Sequence, residues 1–555
     1  MNAHGLFAEF QRLSDAPDAV TRLRRFVLDL AVRGRLCNQD PASGTGAELL
    51  ERIRAEHPTA RSLGDGLART VVSSFEIPQS WIWTSLAELA AFSAGRTPPR
   101  NDLTFWNTGD HRWVSIADMT DGSILMSTKE TVSEKAAAQV FGSPPLPPGT
   151  MLMSFKLTIG KVARLGVPAY HNEAIINIRP YLPATDPYLF LALPARARAG
   201  AIKGAIKGAT LNRQSLSNIT VPLPPIDEQH RIVAKVEELM ALCDELEAAQ
   251  TAREARRDRL RMTSLTTLVA PDGPAPKESA RFFLKNSPRM VTKPEHVAGV
   301  RQTILDLAVR GRLVAQNAGD EPVNPAPIRA TARVQPIATN ELPFTAPRSW
   351  EWRRLGSAAE LINGDRSKNY PNKHEYAAQG VAWINTGHID PDGTLSKTRM
   401  HYITRAKFES LRGGKVKPDD LVYCLRGTIG KTAIVDWLDE GAVASSLVIV
   451  RLDQTIAIPS FIRNYLVSPT GQQLIQRFDN GSAQPNLAAN SVKQFVTPVP
   501  PLGEQRRIVA KVDELMAVCD ELERSLARAQ TGRTRLLGAV LAQAIAHGGP
   551  EPERV

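Results

Sequence analysis

The chain has 555 residues, 43% of them apolar and 23% charged, a globular composition with room for three or four domains of about 150 residues each. No run of about 18 uninterrupted apolar residues occurs, which argues against a membrane span. Arg22, Arg24 and Arg25 are followed by no apolar core, which argues against a secretory signal. Net charge is +11, which suits a nucleic-acid partner without proving one. The four cysteines, Cys37, Cys243, Cys424 and Cys519, form no CxxC pair and no disulfide framework, so a reducing cytoplasm is the simple expectation.

In chain order the first notable segment is Leu28–Leu36, LDLAVRGRL. It returns unchanged at Leu305–Leu313. Glu228–Glu247 returns at Glu504–Glu523 with 17 of 20 positions identical. The offsets, 277 and 276 residues, define a unit that occurs twice. Between these stretches only a skeleton is shared. Ser80-Trp81-Ile82-Trp83 answers Ser349-Trp350-Glu351-Trp352, and Trp113-Val114-Ser115 answers Trp383-Ile384-Asn385. The run Phe155–Lys161 answers Leu425–Lys431, both ending Thr-Ile-Gly-Lys, and Val221–Pro225 answers Thr497–Pro501. Two divergent globules on one scaffold suggest two readers of two different things.

Each globule is expected to be α+β. Strand-like runs cover 167–180 and 442–451, and short helices fall near 187–198 and 459–478. The tryptophans at 81, 83, 350 and 352 read as core. Pro224-Pro225 and Pro500-Pro501 end extended segments, with Asp227 and Gly503 at the expected N-caps of long helices. Apolar residues then recur at Ile232, Val236, Leu239, Cys243 and Leu246, and at Ile508, Val512, Leu515, Cys519, Leu522 and Leu526. That heptad spacing predicts helices of about 40 residues that pack on each other as a spacer; packing on their own globules is the alternative. Segments 271–288 and 319–347 read as linkers. The expected organisation is an N-terminal helical region 1–75, a globule 76–225, a central helical region with linkers 226–340, a globule 341–500 and a C-terminal helix 501–555.

No catalytic motif stands out. The stretch Gly427–Thr432 lacks the leading glycine of a P-loop, since Leu425 is there. No Asn/Asp-Pro-Pro-aromatic motif, HExxH, zinc spacing or GxSxG elbow occurs.

The Trp-x-Trp opening, the Gly95-Arg96-Thr97-Pro98 motif, the Thr-Ile-Gly-Lys turn and the Pro-x-Pro-Pro-x-x-Glu-Gln entry into a long helix, in order and largely duplicated, resemble the specificity subunit of a type I restriction-modification system. The resemblance implies two mixed α/β target-recognition domains separated by long conserved helices in an antiparallel coiled coil, with an internal pseudo-twofold axis. It implies a cytoplasmic, non-catalytic subunit that reads a bipartite, asymmetric site on double-stranded DNA. It further implies separate adenine methyltransferase subunits and restriction motor-nuclease subunits as partners. S-adenosylmethionine, ATP and Mg are then expected on those partners and no cofactor on this chain. A self-sufficient methyltransferase or nuclease, and a coiled-coil DNA-binding adaptor of another defence complex, are the alternatives.

Phosphates call for cations, and base edges for Arg, Lys, Asn or Gln. In the first globule the candidates are Arg96, Thr97, Arg100, Lys156, Lys161, Asn212 and Arg213, the last two after the basic Gly-rich run 203–208. In the second they are Arg366, Lys368, Asn369, Arg426, Lys431, Gln484 and Asn486. An ordinary surface cation is the plain alternative for each. No metal ligands are expected.

Overall fold

The computed structural model describes residues 16, 18–57, 75–202, 213–270, 276–323, 334–366, 370–478 and 486–547. Packing divides the chain into two compact units, residues 1–252 with 530–555, and residues 253–529. Among the described residues no helix is long and apolar enough to cross a membrane.

In the first unit a two-stranded ribbon frames the globule. Ile82–Ser85 pairs antiparallel with Thr220–Leu223, Ile82 opposite Leu223. Inside the frame lies a five-stranded sheet in the order Ala90–Ala94, Ile175–Pro180, Met151–Ser154, Val162–Leu165, Ile124–Leu125. Its central strand Met151–Ser154 is wholly buried, the apolar Met151, Leu152 and Met153 together with Ser154. A three-stranded sheet combines Glu130–Val132, Trp106–Val114 and Ala169–His171. The helix Asp186–Ile202 buries Tyr188, Leu189, Ala192 and Leu193 in the same core as Met151, Met153, Ile176 and Ile178.

The second unit repeats this plan. Glu351–Arg354 pairs with Val496–Val499. One sheet runs Ala359–Asn363, Leu447–Leu452, Leu421–Cys424, Thr432–Ile434, and a second runs Tyr376–Ala377, His401–Ile403, Val381–Ile384, Gly441–Val443, Lys415–Val416. The single helix of the first globule becomes two here, Pro459–Val467 and Pro469–Phe478. The break is where a proline forces its predecessor out of helical geometry; Ser468 has ψ 158°.

The long helices span Ile226–Val269 and Leu502–His547. Each starts one residue before the expected cap. Gln229 N already donates to Pro225 O, and Gln505 N to Pro501 O, so Asp227 and Gly503 lie inside the first turn. Asp227 and Glu228 there complement the helix dipole. Each helix begins in one unit and ends in the other, so each unit receives the head of one and the tail of the other, an antiparallel exchange. The expected seam is thereby divided. Ile232, Val236 and Leu239 enter the core of their own globule. Only from Cys243 does the seam meet Leu537 and Leu541 of the other long helix, together with Leu23 and Leu30 of the N-terminal helix Ala19–Val32. In the second unit Ile508, Val512 and Cys519 share a core with Leu265 and Leu268.

The duplicated helix Ala19–Val32 and its counterpart His296–Val309 carry matching clamps. Arg24 pairs with Asp244 (2.6 Å) and Glu247 (2.7 Å), and Arg301 with Asp520 (2.6 Å) and Glu523 (2.9 Å). Such half-exposed pairs add little stability, but they fix which turns of the helices face each other. One expected linker is a helix instead. Pro276–Met290 begins on proline, places Glu278 in its first turn and buries Phe283 and Met290, seven residues apart. The other is pinned where it is described. The buried Arg354 donates to Gln335 O, Pro336 O and, doubly, to Glu341 at 2.8 Å.

A knot of polar side chains closes each long-helix entry. Trp81 Nε1 donates to Glu228 Oε2 (2.9 Å), and Gln39 Nε2 to Glu228 Oε1 (2.6 Å). Ser80 Oγ donates to Gln39 Oε1 (2.7 Å), and Gln229 Nε2 to Pro224 O (3.0 Å). The second copy repeats three of these bonds: Gln316 Nε2 donates to Glu504 Oε1, Ser349 Oγ to Gln316 Oε1 and Gln505 Nε2 to Pro500 O. Burial pushes the Glu228 and Glu504 carboxyls above their ordinary values, against hydrogen bonds that favour the charged forms. Trp81→Phe removes one donor and leaves a buried carboxylate oxygen unpaired. The expected loss is about 1.5–3 kcal/mol, read as a lower urea midpoint of the full chain; an unchanged midpoint would deny the knot its role.

Candidate nucleic-acid interface

Strand register brings three loops of the first globule to one end of its sheet. Ala94 faces Ile176, and Ser154 faces Ile175, so the segments 95–100, 155–161 and 172–174 leave together. The second globule does the same, with Asn363 opposite Val448 and Cys424 opposite Leu447.

Main-chain bonds stitch these loops. Gly95 N donates to Ile175 O (3.2 Å), Arg96 N to His171 O (2.9 Å) and Phe155 N to Ala174 O (3.0 Å). Trp113 Nε1 donates to Arg96 O (3.0 Å). The approach at Gly95 is so close that a Cβ would lie 1.9 Å from His171 O. Gly364 stands in the same relation to Ala444 O, at 2.5 Å. Beneath the loops His171 is buried, and burial lowers its pKa to about 4. The neutral ring fits its neighbours. Nδ1 donates to Asn172 O (3.2 Å), leaving Nε2 to face the Asn177 amide at 3.4 Å.

The candidate residues of the first globule occupy these loops. Arg96 is exposed and donates to Val140 O (2.6 Å). Thr97 Oγ1 donates to Glu173. The Arg100 guanidinium lies 3.9 Å from the Trp106 ring centre and pairs with Glu130, which raises its pKa. Lys156 sits over the Phe155 ring at 5.4 Å. Lys161 is turned inward, and its ammonium donates to Met119 O (3.1 Å). Arg213 opens the short helix Arg213–Ser217, and Asn212 lies outside the described residues.

In the second globule Arg366 is exposed in the segment that follows Asn363. Arg426 Nε donates to Asn486 Oδ1 (3.0 Å), and the two residues also form a β-bridge, so the structure joins two candidates 60 positions apart. Lys431 donates to Ile389 O (3.3 Å), repeating Lys161. Lys368, Asn369 and Gln484 lie outside the described residues.

Two residues at this end were not anticipated. Glu173 is an exposed carboxylate at the centre of the first loop set, held ionised by Thr97, with Lys156 and Arg100 nearby. Leu157 is exposed at a positive φ of 62°. Neither type signals a nucleic-acid contact from sequence, although the alignment of Leu157 with Gly427 marks an exchange. Away from the loops, Glu254, Asp258 and His296 bring potential metal ligands within 4.8 Å of one another. Lys293 Nζ, 2.8 Å from the same Glu254 oxygen, already supplies a positive charge there.

Residues 78–255 and 347–529 match the family described as the type I restriction modification DNA specificity domain. The specificity subunit of the type I restriction enzyme EcoAI from Escherichia coli is 26% identical over 570 residues, covering 95% of this chain and 94% of that one. The EcoEI specificity subunit, also from Escherichia coli, is 24% identical over 573 residues, covering 94% and 93%. A chain solved for the structural basis of complex assembly and conformational transition of the type I R-M system aligns over 85% of this chain and 99% of its own, with 18% identity and a TM-score of 0.49.

His171 makes the first unit acid-labile. Its pKa is lower folded, about 4, than unfolded, near 6.5, so the unfolded state binds more protons between these values. Stability is retained above about pH 6.5 and lost as pH falls towards 4, by on the order of 3 kcal/mol. Urea titrations at pH 7 and 4.5 should show a smaller loss for His171→Gln than for the natural chain. Equal losses would mean that the folded imidazole is charged.

Proposed function

The chain belongs to the type I restriction-modification DNA specificity family, and on that premise we propose that it is the DNA-recognition subunit of such a system, reading a bipartite, asymmetric site. One observation carries this reading. Two sheets of matching register present unlike loops at the same end, Arg96-Thr97-Pro98 in one and Asp365-Arg366 in the other. A common frame with different loops suits two different half-sites at a fixed separation.

In this reading, residues 76–225 and 341–500 are the target-recognition domains. The segments 1–75, 226–340 and 501–555 form the helical frame. The near-identical helix stretches 228–247 and 504–523 offer two equivalent docking surfaces, suited to two copies of a methyltransferase subunit, with motor-nuclease subunits joining them. This chain carries no catalytic group. S-adenosylmethionine belongs to the methyltransferase, and ATP and Mg to the motor. Its own part is to place the complex.

The candidate residues then divide by environment. Arg96, Lys156, Arg366 and Arg426 are suited to phosphate. Arg100 exchanges Glu130 for a phosphate or a guanine edge. Asn486, ordered by Arg426, is suited to an adenine edge, and Asn212, Arg213, Lys368, Asn369 and Gln484 are proposed as further DNA contacts by residue type alone. Lys161 and Lys431 brace the loops from within.

Methylated adenines should be mapped across the source genome with and without the gene. The expected result is a split motif with two unlike halves, lost on deletion. An unchanged map in cells that express the complex would overturn the reading. With the site known, Lys156→Ala should weaken binding to all sequences alike. It should also reduce the slope of log K against log salt by about 0.9, the value of one phosphate contact. A changed base preference with an unchanged slope would place Lys156 at a base instead.

A further inference from the structure

The turns that follow Met151–Ser154 and Leu421–Cys424 share one backbone. Ser154 N donates to Lys161 O (2.9 Å) and Gly160 N to Ser154 O (2.8 Å); Cys424 N donates to Lys431 O (2.8 Å) and Gly430 N to Cys424 O (3.0 Å). Both turns hold their projecting residue in the left-handed region, at φ 62° and 78°. In the second globule that residue is Gly427, which adopts the region freely, and the space a side chain would enter is open. In the first it is Leu157, 87% exposed.

Among the described residues nothing accounts for leucine at this place. Among the described residues four that are not glycine have positive φ: Asp18, Asn107, Leu157 and Asp419. Asp and Asn tolerate the region because their short polar side chains bond locally. Leucine has no such compensation and meets a steric penalty. It also leaves its apolar surface in water. Strain of this kind, held where the sister turn shows that glycine fits, points to a contact outside the chain.

The surroundings say which contact. Lys156 and Thr158 flank the leucine. The next residue back, Phe155, is bonded through its main chain to the loop of Glu173, and Glu173 holds Thr97. An apolar tip in a polar, cationic rim suits a DNA groove better than an apolar protein surface. At the major-groove edge the apolar group is the C5-methyl of thymine. We propose that Leu157 is a specificity-determining residue that packs on a thymine methyl in the half-site read by the first globule, a contact the second globule forgoes at Gly427. The proposal rests on the reading of the chain as a DNA specificity subunit.

The test uses the full chain and duplexes carrying its mapped site, with each thymine replaced in turn by deoxyuridine, which lacks only the methyl. For the natural chain one replacement, in one half only, should weaken binding about four-fold, the equilibrium factor of one buried methyl group. Leu157→Gly and Leu157→Asn both suit a positive φ, so neither should lower the melting temperature. Both should bind the thymine and uracil duplexes alike. Variants that keep the thymine preference, a natural chain indifferent to every replacement, or a site with no thymine in either strand of the half read by the first globule would each overturn the proposal. A natural chain that prefers no split sequence at all would instead overturn the parent reading, which separates the two failures.

Discussion

A buried carboxylate at the first turn of each long helix sets the rest of the structure. Pro224 and Pro225 remove two main-chain donors where the strand Thr220–Leu223 hands over to the helix, which gives the chain its sharp change of element. The Pro224 carbonyl left behind is met by the Gln229 side chain. Glu228, one residue earlier, gathers Trp81 from the start of the globule and Gln39 from the segment after the N-terminal helix. Burying that charge is costly, and its raised pKa records the cost; the donors that converge on it offset part. Once Trp81 is fixed, Ile82 must face Leu223, and the strand Ala90–Ala94 follows at the edge of the main sheet. The second unit extends the same arrangement. Gln505 there holds both Pro500 O and Ile456 O, and accepts from Ile458 N, so the helix entry also anchors the start of Pro459–Val467.

Much of this was legible in the sequence because it depends on residues that repeat. The long helices, the proline stops and the buried Trp81 and Trp350 all follow from periodicity and duplication. Where the structure departs from the expectation or refines it, competing interactions decide. The segment after Pro271 has a linker's composition, yet Phe283 and Met290 lie one heptad apart and find a core to enter. The seam meets the other long helix as its spacing predicts, from Cys243 in one copy and at Ile508, Val512 and Cys519 in the other, while Ile232, Val236 and Leu239 enter the core of their own globule. Spacing gives the apolar face of a helix and does not say which partner covers it.

The candidate interface was legible in part for a similar reason. Cations and the Thr-Ile-Gly-Lys turn mark the loops, but a lysine's destination is a matter of register. Lys161 and Lys431 read as free charges, and the fold turns both onto a carbonyl 42 residues away, Met119 and Ile389. Arg426 and Asn486 are 60 residues apart in sequence, and only the bridge between their backbones makes them neighbours. Leu157 carries no signal in the sequence, because its left-handed φ is visible only in the folded chain.

The division between constant frame and varied loops has a physical basis in how the loops are held. Their stitches are main-chain bonds, from Gly95, Arg96 and Phe155 in one globule and from Leu425 and Leu487 in the other. A main-chain bond is indifferent to the side chain it carries. Side chains along these loops can therefore change without loosening the sheet end that presents them. The exceptions are the residues at closest approach: Gly95 and Gly364 have carbonyls where a side chain would begin. That leaves the outward positions as the place where two copies of one scaffold can acquire different chemistry. Leu157 against Gly427, and Glu173 against Ser445, are where these two copies have done so.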